Sequence, residues 1–452
     1  MPARFPDLDA ALVSRLDRPG PRYTSYPTVP VWSERFGAAD HAHALERAGH
    51  SAEPLSLYVH IPFCQELCSY CGCNVVVSKS PQRLDAYVES VAREAQLVAA
   101  RLGKRRRLAR VHYGGGTPTS LDERQLERLW EGLTAAFSVD PDAELAVEVD
   151  PSVTRPSQLT ALAGMGFHRL SVGVQDFDPR VQHAVARIQS FAETAAILGH
   201  ARRVGFRSVN TDLIYGLPMQ TEASWRRTLE QVLALSPDRL ATFSFAFVPD
   251  VRPNQRRLPL ADIPTGLARL ALLRLSHEVL GAAGYRAIGL DHFARPTDEL
   301  SIALEEGHLW RDFQGYTTRR APETVALGSS GISDVGGAFV QSDKRVGAWT
   351  RAIEAGTLPT ERGYWLTDDD RERRGIITDL MCNQRVDLGP GAEVRFGAEL
   401  LRLRDQEREG LVTLAGPRVT VTPLGRVFLR NVAMVFDAHL PNATRQQFSR
   451  TV

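Results

Sequence analysis

"CQELCSYCGC", residues 64–73, places four cysteines within ten positions of a 452-residue chain that contains only five. The stretch follows "LSLYVHI" at residues 55–61, an apolar and β-branched run that is typical of a buried strand. The first residues, "MPARFPDLDAAL", contain no apolar core of a signal peptide, so we expect a reducing cytoplasm. Clustered cysteines in that compartment bind metal more often than they form disulfides.

Three interpretations of the cysteine stretch compete. A structural zinc site needs four ligands, usually in two separated pairs, but this run is continuous and no second pair exists. A disulfide framework does not fit the expected compartment. The favoured interpretation takes Cys64, Cys68 and Cys71, spaced C-x3-C-x2-C, as ligands of a 4Fe-4S cluster. Three ligands leave one iron open for S-adenosylmethionine (SAM), and Tyr70 before the third cysteine fits the radical SAM signature.

Alternating strand and helix patterns continue along residues 55–249, and they predict the fold. There are six apolar runs, the last of which is "RLATFSFAFVP" at 239–249. Helical stretches such as 81–102 separate them. We therefore predict an α/β fold, a partial (β/α)6 TIM-like barrel whose site lies at the strand C-termini. The polar residues expected after the first five strands are the cysteines, the glycines of "GGGTP" (114–118), Glu148, Gln175 and Asp212. The glycines are expected to let the backbone approach a ligand closely.

Composition and pattern suggest three domains. We predict an N-terminal arm and lead-in helix at 1–54, the barrel and its extension at 55–364, and a mainly helical, winged-helix-like domain at 365–452. In the last domain, "DDDRERRGIITDLMC" predicts a helix that includes Cys382, which we expect to be a buried apolar residue. The net charge of +1 argues against nucleic acid as a partner, and no apolar run is long enough to span a membrane.

The chain resembles the oxygen-independent coproporphyrinogen III oxidases, radical SAM enzymes of haem and porphyrin biosynthesis. The resemblance extends over nearly the whole chain. It rests on "GPRYTSYPT" (20–28), "LYVHIPFCQELCSYCGCN" (57–74), "GGGTPT" (114–119), "EVDP" (148–151), "GVQDF" (173–177), "DLIYGLP" (212–218), "DHFARP" (291–296), "FQGYTT" (313–318) and "QQFSR" (446–450).

The resemblance implies an oxidoreductase that converts coproporphyrinogen III to protoporphyrinogen IX. Two propionates would be oxidatively decarboxylated to vinyl groups through a 5′-deoxyadenosyl radical. The implied cofactors are a 4Fe-4S cluster and two SAM molecules. The implied reductant is a flavodoxin or ferredoxin, and the implied enzyme is a monomer. The cluster-bound SAM would contact Tyr58, Gly115, Glu148 and Ile332. The second SAM would contact Tyr70, Gly116, Thr117, Gln175, Arg187, Asp212 and Ala246.

Several roles stay open at this stage. Tyr58, Glu148 and Cys73 are the candidate catalytic residues, and Cys73 is either a packing group or a thiol that takes part in turnover. Arg187 can pair with a SAM carboxylate or lie on a helix surface. Arg22, Tyr23 and Tyr26 either tether the arm or close over the tetrapyrrole and bind its carboxylates.

One departure from the family pattern stands beside the second cofactor. Phe245 and Phe247 flank Ala246 where the family often has tyrosine and histidine, so a polar contact is missing there. The remaining alternatives for function are a radical SAM haem-trafficking protein and a haem-modifying methyltransferase.

Overall fold

The computed structural model describes residues 5–318, 321–440 and 448–451. Gln446 and Gln447 of the "QQFSR" motif lie outside the described residues. The strands are β1 Leu55–Ile61, β2 Phe63–Cys64, β3 Val76–Val77, β4 Arg107–Gly115, β5 Ser138–Val149, β6 Arg169–Gln175, β7 Ser208–Tyr215, β8 Arg239–Ser244, β9 Arg286–Ile288, β10 His292–Ala294, β11 Trp310–Asp312, β12 Gly315–Thr317, β13 Glu323–Leu327, β14 Ile332–Val335, β15 Ala338–Ser342, β16 Thr360–Trp365, β17 Arg385–Asp387, β18 Val412–Ala415 and β19 Arg418–Val421.

The helices pack mainly on the outside of the large sheet and in the C-terminal region. They are α1 Ala10–Leu16, α2 Ala38–Ala48, α3 Pro81–Leu102, α4 Glu123–Thr134, α5 Pro156–Gly164, α6 Pro179–Ala184, α7 Phe191–Val204, α8 Glu222–Ala234, α9 Gly266–Ala282, α10 Glu299–Glu306, α11 Val346–Glu354, α12 Asp368–Asn383, α13 Ala392–Arg395, α14 Gly397–Arg408, α15 Pro423–Val427 and α16 Leu429–Ala433.

Six parallel strands form the centre of a 12-stranded sheet, in the order β1-β4-β5-β6-β7-β8. This arrangement confirms the predicted partial barrel. The sheet continues beyond both ends of the predicted set, which the sequence pattern did not indicate. Strand β13 pairs in parallel with β1 and leads into antiparallel β14, β15 and β16, while antiparallel β10 and β9 follow β8.

Helix α3 shows why the chain forms this barrel. Pro81 occupies its first turn, and the Ser80 side chain accepts a hydrogen bond from the Arg83 N–H, so the helix has a well-defined start. The predicted apolar face is buried, and it comprises Leu84, Val88, Val91, Ala95 and Val98. These side chains join the main hydrophobic core beneath the sheet, so burial of this face stabilises the helix against the strands.

The sixth barrel strand is shorter than predicted. Strand β8 ends at Ser244, whereas the apolar pattern predicted a strand up to residue 249. The chain leaves the sheet because Phe245 is buried in a separate apolar cluster with Val181 and Leu258. Residues 245–258 therefore turn back over the cysteine loop, which we define as residues 64–73.

The C-terminal region has its own hydrophobic core, and the arm is part of it. Helix α12 and the β18–β19 hairpin lie where the sequence predicted a helix and a hairpin, and Cys382 is fully buried. Leu12, Tyr23 and Tyr26 of the arm pack into this second core. The domain boundaries stay predictions. No helix among the described residues is long and apolar enough to cross a bilayer.

Candidate active site

A cavity of about 520 Å³, here called the main cavity, runs through the inside of the barrel. Six of the residues predicted for the site line it: Tyr58, Cys73, Gly115, Glu148, Asp212 and Ile332. These residues come from separate segments of the chain, and the barrel brings them to one space. The predicted contacts of the cluster-bound SAM are all among them.

Buried ion pairs close the end of the main cavity that lies at the strand N-termini. Arg110 and Arg169 each place a guanidinium nitrogen 3.1 Å from Glu144, and Arg239 lies 2.8 Å from Asp298. All of these side chains are largely buried. Access to the main cavity is therefore expected at the other end, near the cysteine loop.

Glu148 is held as a carboxylate in the wall of the main cavity. It accepts hydrogen bonds from His112 Nε2 at 2.9 Å and from the Gly115 N–H at 3.2 Å. Burial favours a higher pKa for Glu148, but the hydrogen bond and charge of His112 and the Gly115 N–H outweigh burial and lower it. A buried anion with remaining acceptor capacity can bind an ammonium or hydroxyl group of a cofactor.

The glycines after the second barrel strand are required by the protein's own packing. A Cβ atom on Gly114 would lie 2.8 Å from Glu148 Oε1, and one on Gly115 would lie 2.7 Å from the His60 ring. Gly115 also has a φ of +119°, which side-chain-bearing residues rarely adopt. A Cβ on Gly116 would meet the backbone of Pro62 at 2.7 Å. The sequence predicted these glycines from the close approach of a ligand. The structure shows a second reason, because the glycines lie against Glu148 and against the first barrel strand and the residues after it.

Asp212 lies inside β7 and not after it, so its predicted position at the strand end is wrong. Its carboxylate accepts hydrogen bonds from Ser171 Oγ at 2.9 Å and Asn210 Nδ2 at 2.8 Å. Burial raises the pKa of Asp212 to about 6, although these hydrogen bonds oppose the shift. The side chain still reaches the main cavity because strand residues alternate between the two faces of the sheet.

Each predicted cluster ligand has a hydrogen-bond donor beside its sulfur. Thr117 Oγ1 lies 3.3 Å from Cys64 Sγ, Arg187 Nη1 lies 3.9 Å from Cys68 Sγ, and the Cys73 N–H lies 3.4 Å from Cys71 Sγ. Such donors stabilise thiolates and tune bound iron-sulfur clusters. No group of three or more His, Cys, Asp or Glu side chains in the described ranges could hold a single metal ion. The three donors beside the sulfurs are compatible with a thiolate-bound iron-sulfur cluster on the cysteine loop.

Two neighbouring amide side chains fasten the cysteine loop from the outside. Asn254 Nδ2 lies 3.0–3.3 Å from the carbonyl oxygens of Cys68, Ser69 and Cys71. Gln255 Nε2 donates to the carbonyls of Tyr70 and Ala246, at 3.1 and 3.0 Å. Neither residue was predicted from the sequence, since only their position in the folded chain, after β8, gives them this role.

The other predicted contacts of the second SAM lie around the cysteine loop and not in the lining of the main cavity. Arg187 follows α6 on a loop, so the helix-surface alternative is wrong. Its buried guanidinium pairs with Asp150 at 2.8 Å and donates to the Gly173 carbonyl at 2.6 Å, while its Nε has no hydrogen-bond partner among the described residues. Gln175 ends β6 with a φ of +65°. A Cβ on Gly173 would lie 2.8 Å from the Gln175 amide and 3.3 Å from Arg187, so these side chains share one space.

The two phenylalanines that depart from the family pattern belong to an apolar cluster. Phe245 is buried, and Phe247 and Tyr70 pack against the same cluster. These rings therefore support the cysteine loop by packing where a polar contact was expected.

The arm is tethered to the C-terminal region. The Tyr23 hydroxyl donates to Asp437 at 2.9 Å, and the Tyr26 hydroxyl accepts from the Ala438 N–H at 3.1 Å. Arg22 lines a second cavity, of about 490 Å³, between the arm, α9 and the C-terminal region. The tethering alternative therefore describes the two tyrosines, and Arg22 does not line the main cavity.

The chain is similar to known proteins over nearly its whole length. The radical SAM superfamily matches residues 58–232. The chain is 41% identical to oxygen-independent coproporphyrinogen III oxidase of Pseudomonas aeruginosa, over 98% of each chain, and 42% identical to that of Bradyrhizobium diazoefficiens, over 96% of this chain and 97% of the relative. The solved structure of coproporphyrinogen III oxidase from Escherichia coli, a radical SAM enzyme, superimposes with a TM-score of 0.91 at 40% identity, covering 96% of this chain and 100% of that one.

Proposed function

The chain belongs to the family of oxygen-independent coproporphyrinogen III oxidases, and from this membership we infer that it catalyses the oxidative decarboxylation of coproporphyrinogen III to protoporphyrinogen IX. It is a radical SAM oxidoreductase of haem biosynthesis. The observation that carries the inference is the full-length match to these enzymes, together with a cysteine loop beside a cavity of suitable size. The alternatives of haem trafficking and haem methylation are not favoured.

The family implies a 4Fe-4S cluster and SAM, and we assign the cluster to Cys64, Cys68 and Cys71. The bound cluster supplies the single electron that cleaves SAM. Thr117, Arg187 and the Cys73 N–H direct donors at the three thiolates and so favour the charged form. Asn254 and Gln255 hold the loop backbone, so the thiols are positioned before a cluster binds.

Glu148 and Tyr58 are proposed to orient the cluster-bound SAM. Glu148 presents a buried carboxylate, oriented by His112, for the ammonium or hydroxyl groups of the cofactor. The Tyr58 hydroxyl lies 3.1 Å from His60 Nδ1, and the Tyr58 ring stacks on His112. Cys73 is exposed toward the main cavity, where its thiol can act on substrate or cofactor.

A second SAM molecule is proposed from the grouping of Gln175 and Arg187 beside the cysteine loop. Arg187 has a buried Nε without a partner in the described part of the chain, which suits a carboxylate ligand. The other predicted contacts are assigned to the same site: Thr117, which follows Gly116, adjoins Cys64, Gln255 binds the carbonyls of Tyr70 and Ala246, and Asp212 lies opposite Gly173 on the neighbouring strand. Equilibrium binding of SAM to reconstituted protein should give two sites per chain, and a single site would contradict this assignment.

We also propose a one-electron donor protein such as a flavodoxin or ferredoxin, because the cluster must be reduced in each turnover. A monomeric enzyme is proposed, as the family resemblance implies. A cytoplasmic location is proposed because none of the five cysteines is in a disulfide and three of them are assigned to the cluster.

The activity is tested by anaerobic incubation of reconstituted protein with coproporphyrinogen III, SAM and a reductant. We expect protoporphyrinogen IX and carbon dioxide, in a ratio of two carbon dioxide molecules to one product, since two propionates are lost. Haem binding without this conversion would instead support the trafficking alternative. Methylated haem would support the methyltransferase.

A further inference from the structure

Two consecutive residues, Asp291 and His292, separate the two cavities. Asp291 lines the second cavity and His292 lines the main cavity. Both belong to the "DHFARP" stretch, whose residues have no role predicted from the sequence beyond the family resemblance. His292 begins β10, which pairs with β8, so the ring is attached to a rigid part of the sheet.

The Asp291 carboxylate determines which nitrogen of the His292 ring carries the proton. Asp291 Oδ1 lies 2.7 Å from His292 Nδ1, and the aspartate is buried. Burial would raise the pKa of Asp291, but the hydrogen bond with His292 and the charges of Arg311 and Arg22 lower it. A carboxylate only accepts hydrogen bonds, so Nδ1 is the donor of this pair. In the neutral ring, Nε2 therefore presents a lone pair and can accept a hydrogen bond.

Arg22 connects the arm to this residue pair. Its Nη1 lies 3.7 Å from Asp291 Oδ2, and its Nη2 donates to the Ser244 carbonyl at 2.6 Å. Arg311 in turn donates to the Arg22 carbonyl. The arm therefore reaches His292 through Asp291, and it holds the carboxylate in place behind the ring.

The Nε2 atom of His292 is an unused acceptor in a fixed part of the wall. Tyr316 and Phe243 contact the ring edge to face, with centroids 5.0 and 5.7 Å away, and restrict its rotation. Nε2 lies against Gly315, where a Cβ atom would be 3.6 Å away, so no side chain of this residue covers it. Among the described residues, Nε2 has no hydrogen-bond partner, and the His292 side chain is 12% exposed.

Two further acceptors in the lining of the main cavity are unused. Asn210 Nδ2 donates to Ser171 Oγ at 2.8 Å, but Asn210 Oδ1 is buried without a partner in the described part of the chain. Gln341 Oε1 is buried in the same state. The three arginines at the strand N-termini, in contrast, are already ion-paired. These acceptors therefore favour a ligand that offers hydrogen-bond donors over one that offers a further anion.

Aromatic side chains surround the Nε2 acceptor. Phe243, Phe313 and Tyr316 all line the main cavity. The Tyr316 hydroxyl is used within the protein, because it accepts from the Leu290 N–H at 2.8 Å and donates to the Met381 carbonyl at 3.4 Å. An acceptor between apolar rings suits the N–H group of a flat heteroaromatic ring better than it suits a hydrated hydroxyl group.

We propose that His292 Nε2 accepts a hydrogen bond from a pyrrole N–H of the tetrapyrrole, and that this contact favours the reduced form of the substrate. The proposal rests on the proposed function, which supplies a porphyrinogen as the ligand of the main cavity. All four pyrrole nitrogens of a porphyrinogen carry hydrogen, whereas a porphyrin has two such groups and a metalloporphyrin has none. His292 is thus a substrate-binding residue, and Asp291 is its positioning residue.

The test compares two tetrapyrroles that carry the same four carboxylates. Coproporphyrinogen III has four pyrrole N–H groups, whereas copper(II) coproporphyrin III has none, and its copper binds an axial imidazole only weakly. Each ligand is mixed anaerobically with the reconstituted enzyme and SAM, without reductant, so that no turnover occurs. Free ligand is measured after ultrafiltration, and the affinity of each variant is compared with that of wild type for the same ligand.

His292→Phe keeps a ring in the aromatic wall but removes the acceptor. We expect it to bind coproporphyrinogen III roughly three- to tenfold more weakly than wild type, because one neutral hydrogen bond is lost. Binding of the copper complex and of SAM should stay within about twofold, and the iron content should not change. His292→Gln, which restores an oxygen acceptor, should recover most of the porphyrinogen affinity. His308→Phe, at a half-exposed position in neither cavity lining, should bind both tetrapyrroles like wild type.

Four results would overturn the proposal. Equal losses for both tetrapyrroles in His292→Phe would mean that the ring acts through shape alone, and unchanged binding of both would mean no contact. Weaker SAM binding would place a SAM hydroxyl at Nε2 instead of a pyrrole. Failure of His292→Gln to recover affinity would show that the acceptor is not what the substrate needs. A wild-type protein that binds coproporphyrinogen III but forms no protoporphyrinogen under reducing conditions would instead refute the proposed function.

Discussion

The main cavity and the second cavity have almost the same size, about 520 and 490 Å³, but very different walls. The main cavity is lined by side chains of the barrel strands, several of which have hydrogen-bonding capacity left for a ligand. In the second cavity, the most deeply buried charged group is Arg430, and its hydrogen-bond donors already have partners within the protein. It donates to carbonyls of Gly20, Pro21 and Arg450 and so joins the arm to the C-terminal segment. Volume alone does not identify the active site, whereas unused polar groups on a rigid sheet do.

The largest effect is expected at the cysteine loop. Changing Cys64, Cys68 or Cys71 to Ala removes a cluster ligand, so reconstituted iron should fall well below four per chain and SAM cleavage should stop. Iron analysis and visible absorption measure the first effect, and chromatography of the cleavage products measures the second. A variant that keeps both its iron and its activity would show that the cluster lies elsewhere.

Cys73→Ser tests whether the main cavity needs a thiol in addition to the cluster. Cys73 borders the main cavity and is not needed as a ligand if the other three cysteines hold the cluster. We expect iron, sulfide and visible absorption to stay at the wild-type level while most protoporphyrinogen formation is lost. Wild-type activity would reduce Cys73 to a packing group, and loss of the cluster would make it a ligand.

Arg187→Ala and Arg286→Ala compare two paired arginines, one at the cysteine loop and one at the second cavity. Arg187 is buried with Asp150, whereas Arg286 pairs with Glu305 at the surface. Loss of a charged hydrogen bond costs about 1.5–3 kcal/mol, so Arg187→Ala should bind SAM roughly tenfold to a hundredfold more weakly while it keeps its iron. Arg286→Ala should change neither property. Equal SAM binding by the two variants would show that Arg187 does not hold SAM.

The smallest effect is expected for the amides that fasten the cysteine loop. Gln255→Ala removes hydrogen bonds to Tyr70, Ala246 and Val248, each worth about 1 kcal/mol. The variant should still take up a cluster but lose its visible absorption a few-fold faster under an iron chelator. Gln384→Asn, in the wall of the second cavity, is the matched amide control. Identical rates for Gln255→Ala and wild type would show that the loop holds its shape without this side chain.

The parts of the site that the sequence predicted well are local. The spacing of Cys64, Cys68 and Cys71 and the glycines after the second strand are visible in short segments, and these segments alone indicate a radical SAM barrel. Asp212 was placed wrongly at a strand end, because alternation along β7 gives the same apolar pattern wherever the strand stops. Asn254 and Gln255 could not be predicted, since ordinary amides in a polar segment carry no periodic signal.

The sequence by itself determined the family, the α/β barrel class and the cluster motif, because these depend on residue spacing and on hydrophobic alternation over a few positions. Only the tertiary structure decided that residues 245–258 leave the sheet to support the cysteine loop, and that the arm reaches His292 through Asp291. These contacts join segments up to hundreds of residues apart, such as Arg22 and Asp291. Their geometry follows from how the sheet and the C-terminal core pack together, which no local pattern records.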